Sequence, residues 1–148
     1  MGLDMYLRGT KIKYTEWKRD SSGELSEVNV VMVDGYKQVG VELALGKWRQ
    51  HAPLHHLIVN SFADGVDDCR PINLNPKDLR YIARCLRDRD FPPLKDCGGF
   101  YFGQEEWWQE CCENADADAD VFEAAASWVI DGDDMCKFYH SVAYEASW

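Results

Sequence analysis

Three residues of the types used in thiol catalysis lie close together in the sequence, at His55, Asp67 and Cys69. In a thiol enzyme the cysteine attacks a carbonyl carbon, the histidine takes the thiol proton and the carboxylate orients the imidazole. The stretch around Cys69 has no glycine-rich segment to form an oxyanion hole, so a structural cysteine beside a turn is the competing interpretation. The sequence therefore offers a hydrolase hypothesis without a complete catalytic signature.

Histidines cluster just before these residues, at His51, His55 and His56. Two histidines four positions apart on a regular helix can share a metal ion. Pro53 lies between the first two and disturbs that register, and the third ligand would have to be a carboxylate such as Asp67 or Asp68. Ordinary histidines are the simpler interpretation, and we predict no metal and no cofactor.

A repeated acidic motif, ENADADAD, occupies residues 113–120. Asp116, Asp118 and Asp120 match the first three ligand positions of a calcium-binding EF-hand loop. The sixth position is Val121 where glycine is needed for the turn, and the twelfth is Ser127 where a bidentate glutamate belongs. We therefore expect Asp120 to cap a following helix and the other two aspartates to be solvated in the connection.

The acidic segment, residues 105–134, has eleven acidic and no basic side chains and accounts for the net charge of −10. Such a segment repels nucleic acid and anionic membranes and attracts basic partners. A solvated surface is its commonest meaning. Trp107 and Trp108 are candidate anchors for a protein partner.

A basic stripe precedes the acidic segment, at Lys77, Arg80, Arg84 and Arg87. Basic stripes can follow phosphates, but neighbouring aspartates dilute this one and the whole chain is acidic. We expect a solvated face, or a face paired with the acidic segment of the same chain or of a second copy in a homo-oligomer. Direct nucleic-acid binding is not expected.

Alternating patterns predict strands near both ends of the chain. Leu3, Met5 and Leu7 fall on one face of the first strand. The β-branched run 28–33 ends at Asp34-Gly35, which predicts a hairpin with the alternating residues that follow. A last strand is expected around residues 136–144.

Helical patterns fill the middle of the chain. One helix is predicted from about Trp48, interrupted or opened by Pro53. A short strand around Ile72 precedes a clear helix that Asn75 caps and Pro76 begins. Two further helices are expected, one around residues 105–112 and one over residues 121–130. The order of elements predicts an α+β fold, with a mainly antiparallel sheet covered by three or four helices.

The composition fits one domain of 148 residues, 46% of them hydrophobic. No apolar run approaches the roughly 20 residues that cross a bilayer, and the start lacks the layout of a secretory signal. We expect a soluble cytoplasmic protein with reduced cysteines.

Several short motifs resemble those of a family of small proteins found in bacteriophages and bacterial genomes. The matching text is MGLDMYL (1–7), KWRQHAPLHHLIV (47–59), DGVDDC (64–69) and GGFYFGQEEWW (98–108). The resemblance implies a phage or prophage origin and action in the cytoplasm of a bacterial host, without implying a chemistry. It singles out one set of positions to test, namely Trp48, Arg49, His55, Asp64, Asp67, Asp68 and Cys69.

Three functions follow as hypotheses. The leading one is a non-enzymatic binding protein whose acidic segment, including Asp116, Asp118 and Asp120, engages a basic host protein, for example a nucleic-acid-binding one. The second is a small metal- or cysteine-dependent hydrolase that uses the region of His55, Asp67, Asp68 and Cys69. The third is a small-ligand-binding protein with a pocket formed by Trp48, Arg49 and the 98–108 loop.

Overall fold

A computed structural model of the 148-residue chain describes residues 2–90, 105–132 and 138–148, with side chains from 109 onwards in the second range and from 139 onwards in the third. It confirms the α+β fold, with a four-stranded antiparallel sheet, two small two-stranded sheets and three described helices. The strands are β1 (Asp4–Lys13), β2 (Glu16–Arg19), β3 (Leu25–Val28), β4 (Met32–Val33), β5 (Tyr36–Lys37), β6 (Gly40–Arg49), β7 (Ile72–Leu74) and β8 (Phe138–Ser147). The helices are α1 (Ala52–Phe62), α2 (Pro76–Arg87) and α3 (Glu105–Asp131).

The main sheet has the strand order β6-β1-β8-β7, with every pair antiparallel. The predicted alternation in β1 is confirmed, because Leu3, Met5 and Leu7 are all fully buried. They meet Val142 and Tyr144 of β8 on the same face of the sheet. The three helices cover this face, and the single core lies between them and the sheet.

Helix α2 forms as the sequence predicts. The Asn75 side chain accepts the backbone N–H of Asp78 at 2.9 Å, and the Asp78 carboxylate accepts the N–H of Asn75 at 2.9 Å. This reciprocal capping box satisfies two backbone donors that the first helical turn leaves unpaired.

None of the three described helices combines the length and the apolar composition that crossing a bilayer requires.

The prediction of a helix from Trp48 is wrong. Strand β6 continues through Trp48 to Arg49, and Gln50 then turns the chain with a φ of 57°. Helix α1 begins only at Ala52, so that Pro53 lies in the first turn, where its missing N–H costs no hydrogen bond. Proline thus opens this helix and does not interrupt it.

The hairpin at Asp34-Gly35 is confirmed, but its first strand is shorter than predicted. Both turn residues have positive φ, 51° and 82°, as a two-residue type I′ turn requires. They join β4 to β5. The run 28–33 is not one strand, because Asn29 has a φ of 57° and ends the pairing of β3.

The prediction of two helices within the acidic segment is also wrong, because α3 is one continuous helix of 27 residues. The ENADADAD motif supplies alanine, the strongest helix former, at every second position. Ala115, Ala119, Phe122 and Ala126 then recur at spacings of four, three and four and are all fully buried. Asp120 lies inside this helix and cannot be its cap.

Candidate active site

Four side chains form a hydrogen-bonded chain on the buried side of α3. The indole Nε1–H of Trp48 donates to Asp118 Oδ1 at 2.9 Å. The other oxygen of Asp118, Oδ2, is 3.2 Å from His51 Nε2, and His51 Nδ1 is 3.5 Å from Cys111 Sγ. The side chains of His51 and Asp118 are only 7% and 13% exposed, and Cys111 is buried. The order thiol, imidazole, carboxylate is the one that nucleophilic thiol catalysis uses.

Three elements bring these residues together. Cys111 and Asp118 are seven residues apart on α3, which places them two turns apart on one face of the helix. His51 is the N-cap of α1, so its ring projects from the start of that helix and lies between them. Trp48 is the second-to-last residue of β6, which is an edge strand of the main sheet.

The Trp48 ring is held from both sides. It stacks on Phe122 with ring centroids 5.3 Å apart and an angle of 11° between the planes. On the strand itself, a Cβ at Gly46 would lie 2.5 Å from the indole, so any other residue there would displace the ring. Because the indole is fixed, its N–H fixes the Asp118 carboxylate in turn.

The backbone sets the tautomer of His51. The N–H of Leu54 donates to His51 Nδ1 at 3.3 Å, so this nitrogen carries a lone pair and the ring proton lies on Nε2. Nε2–H therefore donates to Asp118, and the one lone pair of Nδ1 is shared between the Leu54 N–H at 3.3 Å and the Cys111 thiol, whose Sγ is 3.5 Å away. A thiol proton can be transferred only to a nitrogen with a lone pair, so this tautomer is the productive one.

The chain of four lines a cavity of about 420 Å³. The volume lies in the range of small-ligand sites, about 300–1,000 Å³. Gln50 and Asn114 bring side-chain amides to the same cavity, and Arg49 and Glu110 bring one charge of each sign. Gln50 has a φ of 57°, a conformation that non-glycine residues rarely adopt and that occurs often at functional sites.

A second cavity of about 380 Å³ lies beneath the DGVDDC loop. It contains the site that the sequence predicted: His55, Asp67, Asp68 and Cys69 all line it. His55 Nε2 is 2.9 Å from Asp67 Oδ2, as the catalytic hypothesis requires. His55 Nδ1, however, is 2.7 Å from the hydroxyl of Tyr144.

The hydrogen bonds of His55 argue against Cys69 as a nucleophile activated by this histidine. Both ring nitrogens of His55 have side-chain partners, Tyr144 at 2.7 Å and Asp67 at 2.9 Å, and the thiol is not among them. The imidazole is 1% exposed and joins α1 to the loop and to β8. The exposed Cys69 shares the cavity without a described hydrogen bond to His55.

The acidic segment is paired with α2 and the residues after it. Arg87 contacts Asp120 at 2.5 Å and both oxygens of Glu123 at 2.8 and 3.1 Å. Arg89 contacts Asp116 at 2.8 Å. The hydrogen bond from Arg89 lowers the pKa of the Asp116 carboxyl, and the one from Arg87 lowers the pKa of Glu123.

The predicted connection is wrong, because residues 113–120 lie within α3. Asp116 is solvated as predicted, with its side chain 63% exposed, whereas the side chain of Asp118 is 13% exposed. Asp118 is half-buried in the chain of four, and Asp116 and Asp120 are ion-paired partners of arginines. For Arg87, the predicted pairing of the basic stripe with the acidic segment of the same chain is correct. The side chains of Trp107 and Trp108, and residues 98–104 of the predicted ligand pocket, lie outside the described residues.

No group of three or more histidine, cysteine, aspartate or glutamate side chains in the described ranges is arranged to hold a metal ion. His51 and His55 are engaged instead in two separate hydrogen-bonded networks. Both histidines belong to α1 and its cap, but His51 connects to α3 and β6, whereas His55 connects to the DGVDDC loop and β8, and the two networks line different cavities.

Sequence reasoning missed Cys111 as a site residue and assigned His51 only to a metal hypothesis. One signal was available, because Cys111 and Asp118 have the spacing of neighbours on one helical face. That signal needs a continuous helix through ENADADAD, whereas the sequence suggested a break there.

Comparison with protein-family models, with curated proteins and with solved structures finds no match for this chain.

Proposed function

We propose that this protein is a thiol-dependent enzyme of the acyl-transfer class, in which Cys111 is the nucleophile, His51 the general base and Asp118 the residue that orients the imidazole. The observation that supports the proposal is the ordered hydrogen-bonded chain of these side chains along a cavity of about 420 Å³. This is the cysteine-dependent alternative inferred from the sequence, moved from Cys69 to Cys111.

The proposed reaction has two steps. The thiol proton of Cys111 passes to His51 Nδ1 while the sulfur forms a bond to the carbonyl carbon of the substrate. The bond from that carbon to its leaving oxygen, nitrogen or sulfur then breaks, and the imidazolium returns the proton to the leaving group. Water, deprotonated by His51, releases the acyl group and regenerates the thiol.

The cavity restricts the substrate. A site of this volume takes a small ester, thioester or amide and not a folded protein. The side-chain amides of Gln50 and Asn114 line the cavity with the thiol and are the candidate donors for the oxyanion. Loss of one such donor in other enzymes lowers kcat by about 100- to 1,000-fold.

The test measures how fast each cysteine reacts with iodoacetamide between pH 5 and 9, with peptide mass spectrometry to separate the sites. The exposed Cys69 and the half-buried neighbour Cys112 are internal controls on the same chain. We expect Cys111 to react faster than Cys69 at pH 7 although it is buried, because its proton has an acceptor. We also expect a burst of one equivalent of p-nitrophenol from p-nitrophenyl acetate, absent in Cys111→Ser.

The matched variant is His51→Gln, which keeps a side-chain oxygen that can cap α1 and removes the base. It should slow Cys111 alkylation about tenfold or more and leave Cys69 unchanged. The proposal is wrong if Cys111 reacts more slowly than Cys69 throughout this pH range and is indifferent to His51→Gln in a protein with an unchanged circular dichroism spectrum.

Binding of a basic host protein by the acidic segment remains a prediction, and so does a phage or prophage origin. Because Asp118 supports Trp48 and His51, neutralising it would not test that surface alone. Glu113→Gln with Asp131→Asn is the better pair, since both side chains are exposed on α3. Affinity capture from nuclease-treated bacterial lysate at low and high salt would show whether a basic protein is retained and whether the pair weakens it.

A further inference from the structure

Residues 11–43 form an extension of the main sheet, here called the arm. It comprises the ends of β1 and β6 and the two small sheets, β2 with β3 and β4 with β5. None of its side chains is buried. Two-stranded sheets are marginally stable alone in water, so a surface that covers the small sheets would stabilise the arm.

The arm is also where the apolar surface of the protein is concentrated. Seventeen large apolar side chains of the described residues are exposed, and twelve of them lie in the arm. The most exposed are Tyr36 at 78%, Val39 at 62% and Trp17 at 59%. The other nine are Ile12, Tyr14, Leu25, Val30, Val31, Met32, Val33, Val41 and Leu43.

The summed exposed area of these side chains is comparable to the area that a protein interface buries. Twelve large side chains, each exposed by roughly half, leave on the order of 1,000 Å² uncovered. A stable interface buries about 800 Å² on each partner.

The near-neutral charge of the arm permits contact with an identical arm. The arm has five basic and six acidic side chains, so it contributes −1 to a chain of net charge −10. Two arms can therefore meet without the repulsion that two acidic α3 faces would experience. A basic partner, by contrast, would be attracted to α3 and not to the arm.

We propose that the arm is the interface of a homodimer, in which the arm of a second copy covers the apolar side chains. Every molecule of the protein has this exposed arm. A second copy of the chain is always present at the same concentration and can therefore cover the arm of each molecule. A two-fold axis places the same side chains on both sides of the contact. The proposal does not depend on the chemistry of Cys111.

The experiment is sedimentation equilibrium of the full chain between 1 and 100 µM, with the mass of two chains expected. The test variant is Val33→Ser with Tyr36→Ser, a cross-strand pair in the small hairpin. The control is Val66→Ser, because Val66 is 52% exposed outside the arm and Val33 is 50% exposed within it. We expect the arm variant to raise the dimer dissociation constant at least 100-fold and the control to leave it unchanged.

Two results would overturn the proposal. One is a wild-type chain that remains a monomer at 100 µM, which would leave the arm to a different protein. The other is a dimer that the arm variant and the control affect equally. Circular dichroism of both variants distinguishes loss of association from loss of the fold, and hydrogen exchange in residues 25–37 should be faster in the monomeric variant than in the dimer.

Discussion

Two faces of one helix use the same residue type for opposite purposes. Asp116 and Asp120 lie on the outer face of α3, with side chains 63% and 71% exposed, and pair with arginines. Asp118 lies on the inner face, 13% exposed, and holds Trp48 and His51. The three aspartates are indistinguishable in the motif, and their surroundings alone separate a surface ion pair from a member of a buried network.

The helical period explains the separation. Residues two apart on a helix differ by about 200° in direction, so an alternating Asp-Ala motif sends successive aspartates to opposite faces. Asp116 and Asp120, four apart, return to the same face. The aspartates of the outer face therefore lie beside arginines, and the aspartate of the inner face lies beside Trp48 and His51. Substitutions on the two faces should differ in their effect on stability.

The largest effect is expected from Asp118→Ala. It leaves the indole N–H of Trp48 and the Nε2–H of His51 without their acceptor, and the His51 side chain is only 7% exposed. An unsatisfied buried donor costs about 1–3 kcal/mol, so unfolding in urea should show a loss of roughly 2–4 kcal/mol. Asp118→Asn keeps one acceptor oxygen and should cost less; equal losses for both variants would contradict this account.

A smaller effect is expected on the outer face. Arg87→Gln with Arg89→Gln removes the pairs with Asp116, Asp120 and Glu123, which are exposed to water and screened by salt. The loss of stability in urea should be well below that of Asp118→Ala and should shrink in 0.5 M NaCl. An effect as large as that of Asp118→Ala and independent of salt would show that the outer network is not a surface one.

The smallest effects are expected from pH, and they fall in two windows. Burial lowers the pKa of the half-buried His56 below its ordinary 6.5. The unfolded chain therefore binds more protons, and the stability from this group, full above pH 6.5, falls as the pH drops below it. Substituting Gln for His56 should remove this dependence between pH 7.5 and 5.5 in urea titrations.

The outer carboxylates respond at lower pH. The pKa values of Asp116 and Glu123 lie below their ordinary 3.8 and 4.5. Their contribution is present above those values and is lost as the pH falls through the folded-state pKa values. The double arginine variant should lack this acid component and keep the one from His56.

Local patterns in the sequence were enough for much of the fold. Strand β1, the turn at Asp34-Gly35 and helix α2 with its Asn75 cap all form where alternation, turn chemistry and capping predict them. In each of these cases the determining interactions lie within a few residues or follow from one hydrophobic face.

The failures have a different origin. Pro53 predicts an interruption or an opening of the first helix, because proline is unfavourable in a helix interior, and the expected cap at Asp120 predicts a helix start inside ENADADAD. In the protein Pro53 lies in a first turn, and α3 continues through its aspartates because four apolar residues on one side are buried. Tertiary packing thus overrides a weak local preference.

The sequence by itself determined the alternation of β1, the cap of α2 and the confinement of the net charge to one segment. Only the tertiary structure decided that Asp118 points inward, that Cys111 faces His51 and that His55 is already engaged. The reason is distance along the chain. The bonds of Asp118 to Trp48 and His51 join residues 70 and 67 positions apart, and the contact of Cys111 with His51 joins residues 60 apart. Such partners are chosen by the packing of α3 on the sheet, which no local pattern contains.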